Sequence, residues 1–185
     1  MSGAVAHLGI DLALVSSDDL LLIASIVAGF FGGALLSGLI LRDTLFRMKR
    51  RYAAMLLVEG GILTATMLLA LRGVDFAVPL AAMACGLQNA MASSYRGLTL
   101  RTTHVTGVVT DLGALLGNRL RGRQVKGWKF GLLLSILIAF FGGGLAGALL
   151  LSQLQMWALG FAAALCFMLG LVALTIAPKY ELPVA

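Results

Sequence analysis

Ser2-Gly3 and Thr106-Gly107 are two hydroxyl–glycine pairs, each at the start of a short apolar stretch. At the start of a helix such a pair combines free backbone N–H groups, a hydroxyl and room for close backbone approach, which suits an anion or a carbonyl group. The same residues also fit a plain N-cap beside a tight helix contact. Gln88 and Asn89 sit midway along another apolar run, where an amide must either bond a neighbouring helix or line a pathway, because lipid offers no partner. Glu59 follows Tyr52 by seven residues, about 10 Å along a helix. An ionisable group at that depth in an apolar run is a candidate for function, with Arg101 or His104 as possible partners. A structural buried pair, or a protonated side chain bonded to a carbonyl, explains it equally well. Asp111, His7 and Asp11 add polar groups to the same two short stretches, where pathway lining and helix packing are both open.

Other chemistry finds little footing. His7 and His104 are far apart and give no metal-ligand spacing. Cys85 and Cys166 both lie in apolar runs and read as small packing residues rather than a redox pair. No Ser-His-Asp grouping, phosphate-binding loop or dinucleotide fingerprint occurs. The expectation is a protein that is not an enzyme, with no cofactor and no bound metal.

The elements that carry these residues are set by composition. Of 185 residues, 60% are apolar and 12% charged, about half the charge of a soluble domain. The net charge of +6 in so apolar a chain bears on orientation in a bilayer rather than on nucleic acid, which is not expected as a partner. Five runs, 20–41, 52–71, 76–95, 130–151 and 154–177, approach or exceed the roughly 20 residues that cross a bilayer core. Basic blocks occupy 42–51 and 119–129, and two weakly charged turns, RGVD at 72–75 and SQ at 152–153, separate the remaining runs. The stretches 1–16 and 104–118 are too short to span comfortably. If 104–118 enters and leaves on one side, thirteen of the fourteen Lys and Arg share the cytoplasmic side and only Arg72 lies outside. If it spans, they divide seven to seven, and the positive-inside bias disappears. The charges therefore favour a re-entrant segment.

An internal repeat accompanies this layout. MSGAVAHLGIDLAL at 1–14 matches VTGVVTDLGALLGN at 105–118, with Gly3, Val5, Leu8, Gly9 and Leu12 recurring as Gly107, Val109, Leu112, Gly113 and Leu116. SIVAGFFGGALLSG at 25–38 matches SILIAFFGGGLAGA at 135–148. The first of these spans runs inward and its counterpart outward, so the two repeats are inverted, a layout that recurs in transporters and some channels. Glycines 29, 32, 33 and 38, with 142, 143, 144 and 147, form small-residue faces expected to serve close helix contacts.

The stretch CGLQNAMASSYRGLTLRTTHVTGVVTDLGALLG at 85–117 resembles the central signature of the YoaK-like family of bacterial inner-membrane proteins. That family carries a GxQNA stretch followed by T-T-x-x-T-G, matched here by Gly86, Gln88, Asn89 and Ala90, then Thr102, Thr103, Thr106 and Gly107. The chain departs from the family pattern in lacking a first span and in having Ala4 where the family has Asn. The resemblance implies a multi-pass protein of the bacterial inner membrane and says little about chemistry.

These readings combine into an all-α polytopic membrane bundle with an inverted-topology repeat and two short re-entrant helices. Residues 1–185 form a single membrane domain, with repeat one at 1–75, incomplete at its start, and repeat two at 76–185. The expected function is a small-solute transporter or channel whose midplane site involves Ser2, Gly3, Gln88, Asn89, Thr106 and Gly107, with Glu59, His104 and Asp111 as further intramembrane polar groups. The alternative is a non-transporting subunit or scaffold of a larger assembly. Expected partners are the lipid bilayer, a small solute, and either a second copy or another membrane chain. The carboxyl terminus is expected in the cytoplasm. The repeat would bury the amino terminus near midplane, so either Met1 is internal to a longer protein or another chain fills the opening.

Overall fold

A computed structural model describes residues 1–14, 17–41, 50–92 and 103–176, and among these residues it contains helices and no strand. The helices are α1 (Ser2–Leu14), α2 (Ser17–Ile40), α3 (Arg50–Leu71), α4 (Ala77–Ala92), α5 (Val105–Leu120), α6 (Gly127–Leu154) and α7 (Ala158–Ile176). A single 3₁₀ turn, Gln155–Trp157, joins α6 to α7. Three stretches are long and apolar enough to cross a membrane: Leu20–Ile40, Arg50–Leu71 and Gly127–Ile176. The last of these holds both α6 and α7, about 42 and 28 Å long at 1.5 Å per residue. Large apolar side chains such as Phe31 and Leu39 of α2, Phe141 and Leu149 of α6 and Leu171 of α7 point outward. Helices apolar all round suit lipid rather than water. With a mean hydropathy of +0.99, the chain is a multi-pass membrane protein.

The chain divides into two compact units, Met1–Leu100 with Met156–Ala185, and Arg101–Gln155. In the first unit α2 lies directly on α4. Side chains added at Gly29 or Gly33 would run into the α4 backbone at Pro79 and Met83, and one at Gly86 would meet the α2 backbone at Phe30. Glycine on both helices is what lets the backbones approach. Pro79 is tolerated because it stands in the first turn of α4, where N–H groups have no intrahelical partner. Met55 of α3 with Leu87 and Met91 of α4 then forms a core, covered by Leu36 and Ile40 of α2 and Leu56 and Ile62 of α3.

α3 also packs along α7, again through glycines. A Cβ on Gly60 would stand 3.1 Å from the Phe167 ring, one on Gly160 would stand 3.2 Å from the Met67 sulfur, and Gly170 receives Leu57 and the Ala53 carbonyl. Each helix thus offers notches to side chains of the other. α1 packs on α2 within this unit, and in the second unit α5 packs on α6 with Val108 and Leu133 buried. The matched stretches at 1–14 and 105–118 are therefore both short helices, each packed on the long helix that follows it.

Turn chemistry fixes two helix ends. Gly73 has φ +68°, its N–H bonding Ala70 O and the next N–H, of Val74, bonding Leu69 O, both at 3.0 Å. Gly122 has φ +73° and the same arrangement to Arg119 O and, through Arg123, to Asn118 O. Both are helix stops in which glycine accepts the left-handed conformation without a Cβ penalty. The α6–α7 turn differs from the expected SQ at 152–153. Ser152 lies within α6 with its hydroxyl on Leu149 O at 2.8 Å, and the chain turns at Gln155, which has φ 50°. The described part of the 76–95 span is the 16-residue α4, and the 42–49 and 96–101 basic residues lie outside the described residues.

Of the glycines expected at close helix contacts, Gly29 and Gly33 make them, whereas Gly32, Gly38, Gly142, Gly143, Gly144 and Gly147 have nothing within 4 Å of an added Cβ. Gly33→Ala should therefore destabilise the purified protein by about 1–3 kcal/mol through overpacking, while Gly32→Ala one residue earlier should be neutral or slightly stabilising. Thermal unfolding in detergent, with both variants compared to the parent, measures the difference.

Candidate functional site

Two polar features stand out, one in each unit. In the first unit Glu59, in the middle of α3, is 3% exposed. Its Oε2 has no hydrogen-bond partner among the described residues. The Cys166 thiol of α7 lies within hydrogen-bonding reach of the carboxyl. The sequence reading missed Cys166 as a polar partner, because a cysteine in an apolar run carries no periodic signal that separates packing from hydrogen bonding. Of the two partners expected for Glu59, Arg101 lies outside the described residues and His104 belongs to the second unit. Thr66, also buried on α3, satisfies its hydroxyl on Ile62 O at 2.9 Å.

On α4 the adjacent amides part company. Asn89 is buried and donates Nδ2 to Cys85 O of its own helix at 2.9 Å, whereas Gln88 is exposed. A buried amide bonded to its own backbone is a structural element. An exposed amide in an apolar helix must meet water, headgroup or a partner.

The second feature is the outer face of α5. Thr106, Thr110 and Asp111 are exposed, and Val108, on the side away from the two threonines, is buried. Thr106 is the second residue of the helix and does not cap it. The cap position is His104, whose side chain makes no capping bond. The Thr110 hydroxyl bonds Thr106 O at 2.9 Å, and Thr106 itself is exposed. The expected close approach at Gly107 is present, but its source is local: the His104 imidazole folds over Gly107 and occupies the place of a Cβ. On α1, Ser2 and Gly3 open the helix, and Gly3 is exposed with nothing near a Cβ position. Hydroxyl–glycine pairs thus begin both short helices, and only the second has an imidazole over its glycine. His7 is exposed on α1.

Among the described residues no group of three or more His, Cys, Asp or Glu could hold a metal ion. Both described cysteines are free thiols. The model of a family described as protein of unknown function (DUF1275) matches residues 1–172. The match runs through the 85–117 stretch that carries the resemblance to the YoaK-like family, and it bears that resemblance out. No curated protein and no solved structure matches the chain.

The His104 ring is exposed and can swing aside from a methyl group at 107, so Gly107→Ala should lower thermal stability only slightly, by about 0.5 kcal/mol. The same change at Gly113, where nothing lies within 4 Å, should raise it by about 0.5–1 kcal/mol through helix propensity. In a His104→Ala background the cost at Gly107 should disappear. A double-mutant cycle on the purified protein reads that coupling.

Proposed function

Because the chain belongs to the DUF1275 family, we propose that it is a small-solute transporter or channel of the bacterial inner membrane, with a midplane site where the starts of α1 and α5 converge. In this reading residues 1–185 make one membrane domain of two inverted repeats, 1–75 and 76–185, and α1 and α5 are their re-entrant segments. The observation that carries it is the matched pair of short helices. α1 and α5, with 13 and 16 residues, measure about 20 and 24 Å, too short for a core of about 30 Å. Each starts on a hydroxyl–glycine pair and packs on the long helix after it. The exposed Asp111 of α5 supports the same reading, since a carboxylate cannot favourably face lipid. Solute would be held by helix-terminal N–H groups and by the Ser2 and Thr106 hydroxyls, with Gln88 on the route and Asn89 bracing its helix.

A second reading, a non-transporting subunit or scaffold, draws on α6. In its counterpart α2, Gly29 and Gly33 lie against α4, whereas within the second unit nothing lies within 4 Å of a Cβ added at Gly142, Gly143, Gly144 or Gly147. A second copy or another membrane chain would then complete that face.

Reconstituted vesicles separate the two. Swelling in isosmotic glycerol, urea, sodium acetate or sodium nitrate should reveal one admitted solute class, and Thr106→Val should cut its entry about tenfold, the worth of one hydrogen bond. No entry of any of these solutes, together with an obligate partner on native purification, would favour the subunit reading. Topology is tested separately in a cysteine-free background, where Met48→Cys and Gln124→Cys should both be protected from external reagent, with the carboxyl terminus on the same side. Labelling at 124 with protection at 48 would mean that 104–118 spans, and the inverted repeat would fall.

A further inference from the structure

The Glu59 carboxyl lies in the seam between α3 and α7, 3% exposed, with Oε2 unpartnered among the described residues. The titratable groups that face it are Tyr52 of its own helix, Cys85 of α4 and Cys166 of α7. All three are weak acids, and the positive amino terminus bears on Cys85 rather than on Glu59. The nearest basic side chains along α3 are Arg50 and Arg51 at its start, eight or nine residues and about 12 Å or more of helix away. An ionised carboxylate in this seam would be a buried charge without a counter-charge among the described residues, an expensive state in a membrane interior.

Something positive must therefore accompany the carboxyl, and the surroundings decide what. A sodium or other hard cation needs a cage of several oxygens, whereas the seam supplies a thiol, and no metal-holding group of His, Cys, Asp or Glu occurs among the described residues. A proton needs one oxygen only. We propose that Glu59 is a proton-binding site: its carboxyl carries one exchangeable proton while sealed against α7, and accepts a hydrogen bond from the Cys166 thiol. Separation of α7 from α3 admits water, the carboxyl O–H bond breaks, the proton passes to water and the electron pair stays on the carboxylate. Where the transport reading above holds, on which this consequence alone rests, solute movement is tied to proton movement at Glu59.

The sequence makes the test clean, because Glu59 and Glu181 are its two glutamates. The full chain, labelled with glutamate carrying carbon-13 at the side-chain carboxyl and placed in phosphatidylethanolamine–phosphatidylglycerol vesicles, should give two carboxyl resonances. They are followed from about pH 4 to pH 9, either side of the ordinary glutamate range. The resonance lost in Glu59→Gln should sit at the protonated position at pH 7. Replacing sodium by N-methylglucamine should leave it unmoved, and Cys166→Ala should shift it through loss of the thiol hydrogen bond. Glu181→Gln gives the same assignment if Glu59→Gln fails to fold. A Glu59 resonance that sits at the deprotonated position at pH 7, moves with sodium, or ignores Cys166→Ala overturns the proposal. No solute is needed, so a protonated Glu59 in a protein that passes none of the four solutes would count against the transport reading alone.

Discussion

Lipid offers no hydrogen-bond partner, so each polar group inside the membrane must find one within the protein. Six described hydroxyls of the long helices follow this rule locally. Ser25 bonds Leu22 O, Thr64 bonds Gly60 O, Thr66 bonds Ile62 O, Ser135 bonds Gly131 O, Ser152 bonds Leu149 O and Thr175 bonds Val172 O. Asn89 does the same with Cys85 O. Each side chain turns back onto its own helix, so these helices can carry polar residues without needing a neighbour. Against that background Glu59 is the exception. A carboxyl cannot donate to its own helix carbonyls unless it holds a proton, and its second oxygen is left without a partner among the described residues.

With polar groups satisfied within each helix, association has to come from packing, because burying Leu against Leu gains little when lipid tails are equally apolar. Glycine supplies the packing. Gly29, Gly33 and Gly86 bring the α2 and α4 backbones together, and Gly60, Gly160 and Gly170 take side chains across the α3–α7 seam. The seam that seats Phe167 and Leu57 against glycine also seals Glu59 beside Cys166. Packing and electrostatics are thereby joined at one place, since whatever loosens these notches also wets the carboxyl.

The repeat shows how one sequence pattern serves two surroundings. The α2 stretch 25–38 and the α6 stretch 135–148 share their Phe-Phe-Gly-Gly centre. In α2 the second of those glycines lies under the α4 backbone, and in α6 its counterpart Gly143 has nothing near it. Likewise Gly107 lies under the His104 imidazole, whereas its counterpart Gly3 has open space. A small residue permits close approach without requiring it, and the neighbour decides whether the permission is used.

Much of the fold was legible in the sequence because hydropathy and length are properties of single segments. Apolar runs of about 20 residues have to become helices in a bilayer, and α2, α3, α6 and α7 lie within one or two turns of the runs that announce them. The stops at Gly73 and Gly122 were less visible. Their positive φ depends on where the preceding helix ends, and nothing in RGVD marks Gly73 as more than a turn residue. Glu59 could be picked out as a polar residue in an apolar run, but its partner could not. Whether a carboxyl meets an arginine, a histidine or a thiol depends on which helix lies alongside and at what register, and Cys166 is more than a hundred residues away in the chain. The sequence by itself determined the membrane helices and the polar residues within them, because each of those is set locally by the bilayer. Only the tertiary structure decided which glycines are filled, which amide turns inward and what faces Glu59, because those are properties of pairs of helices.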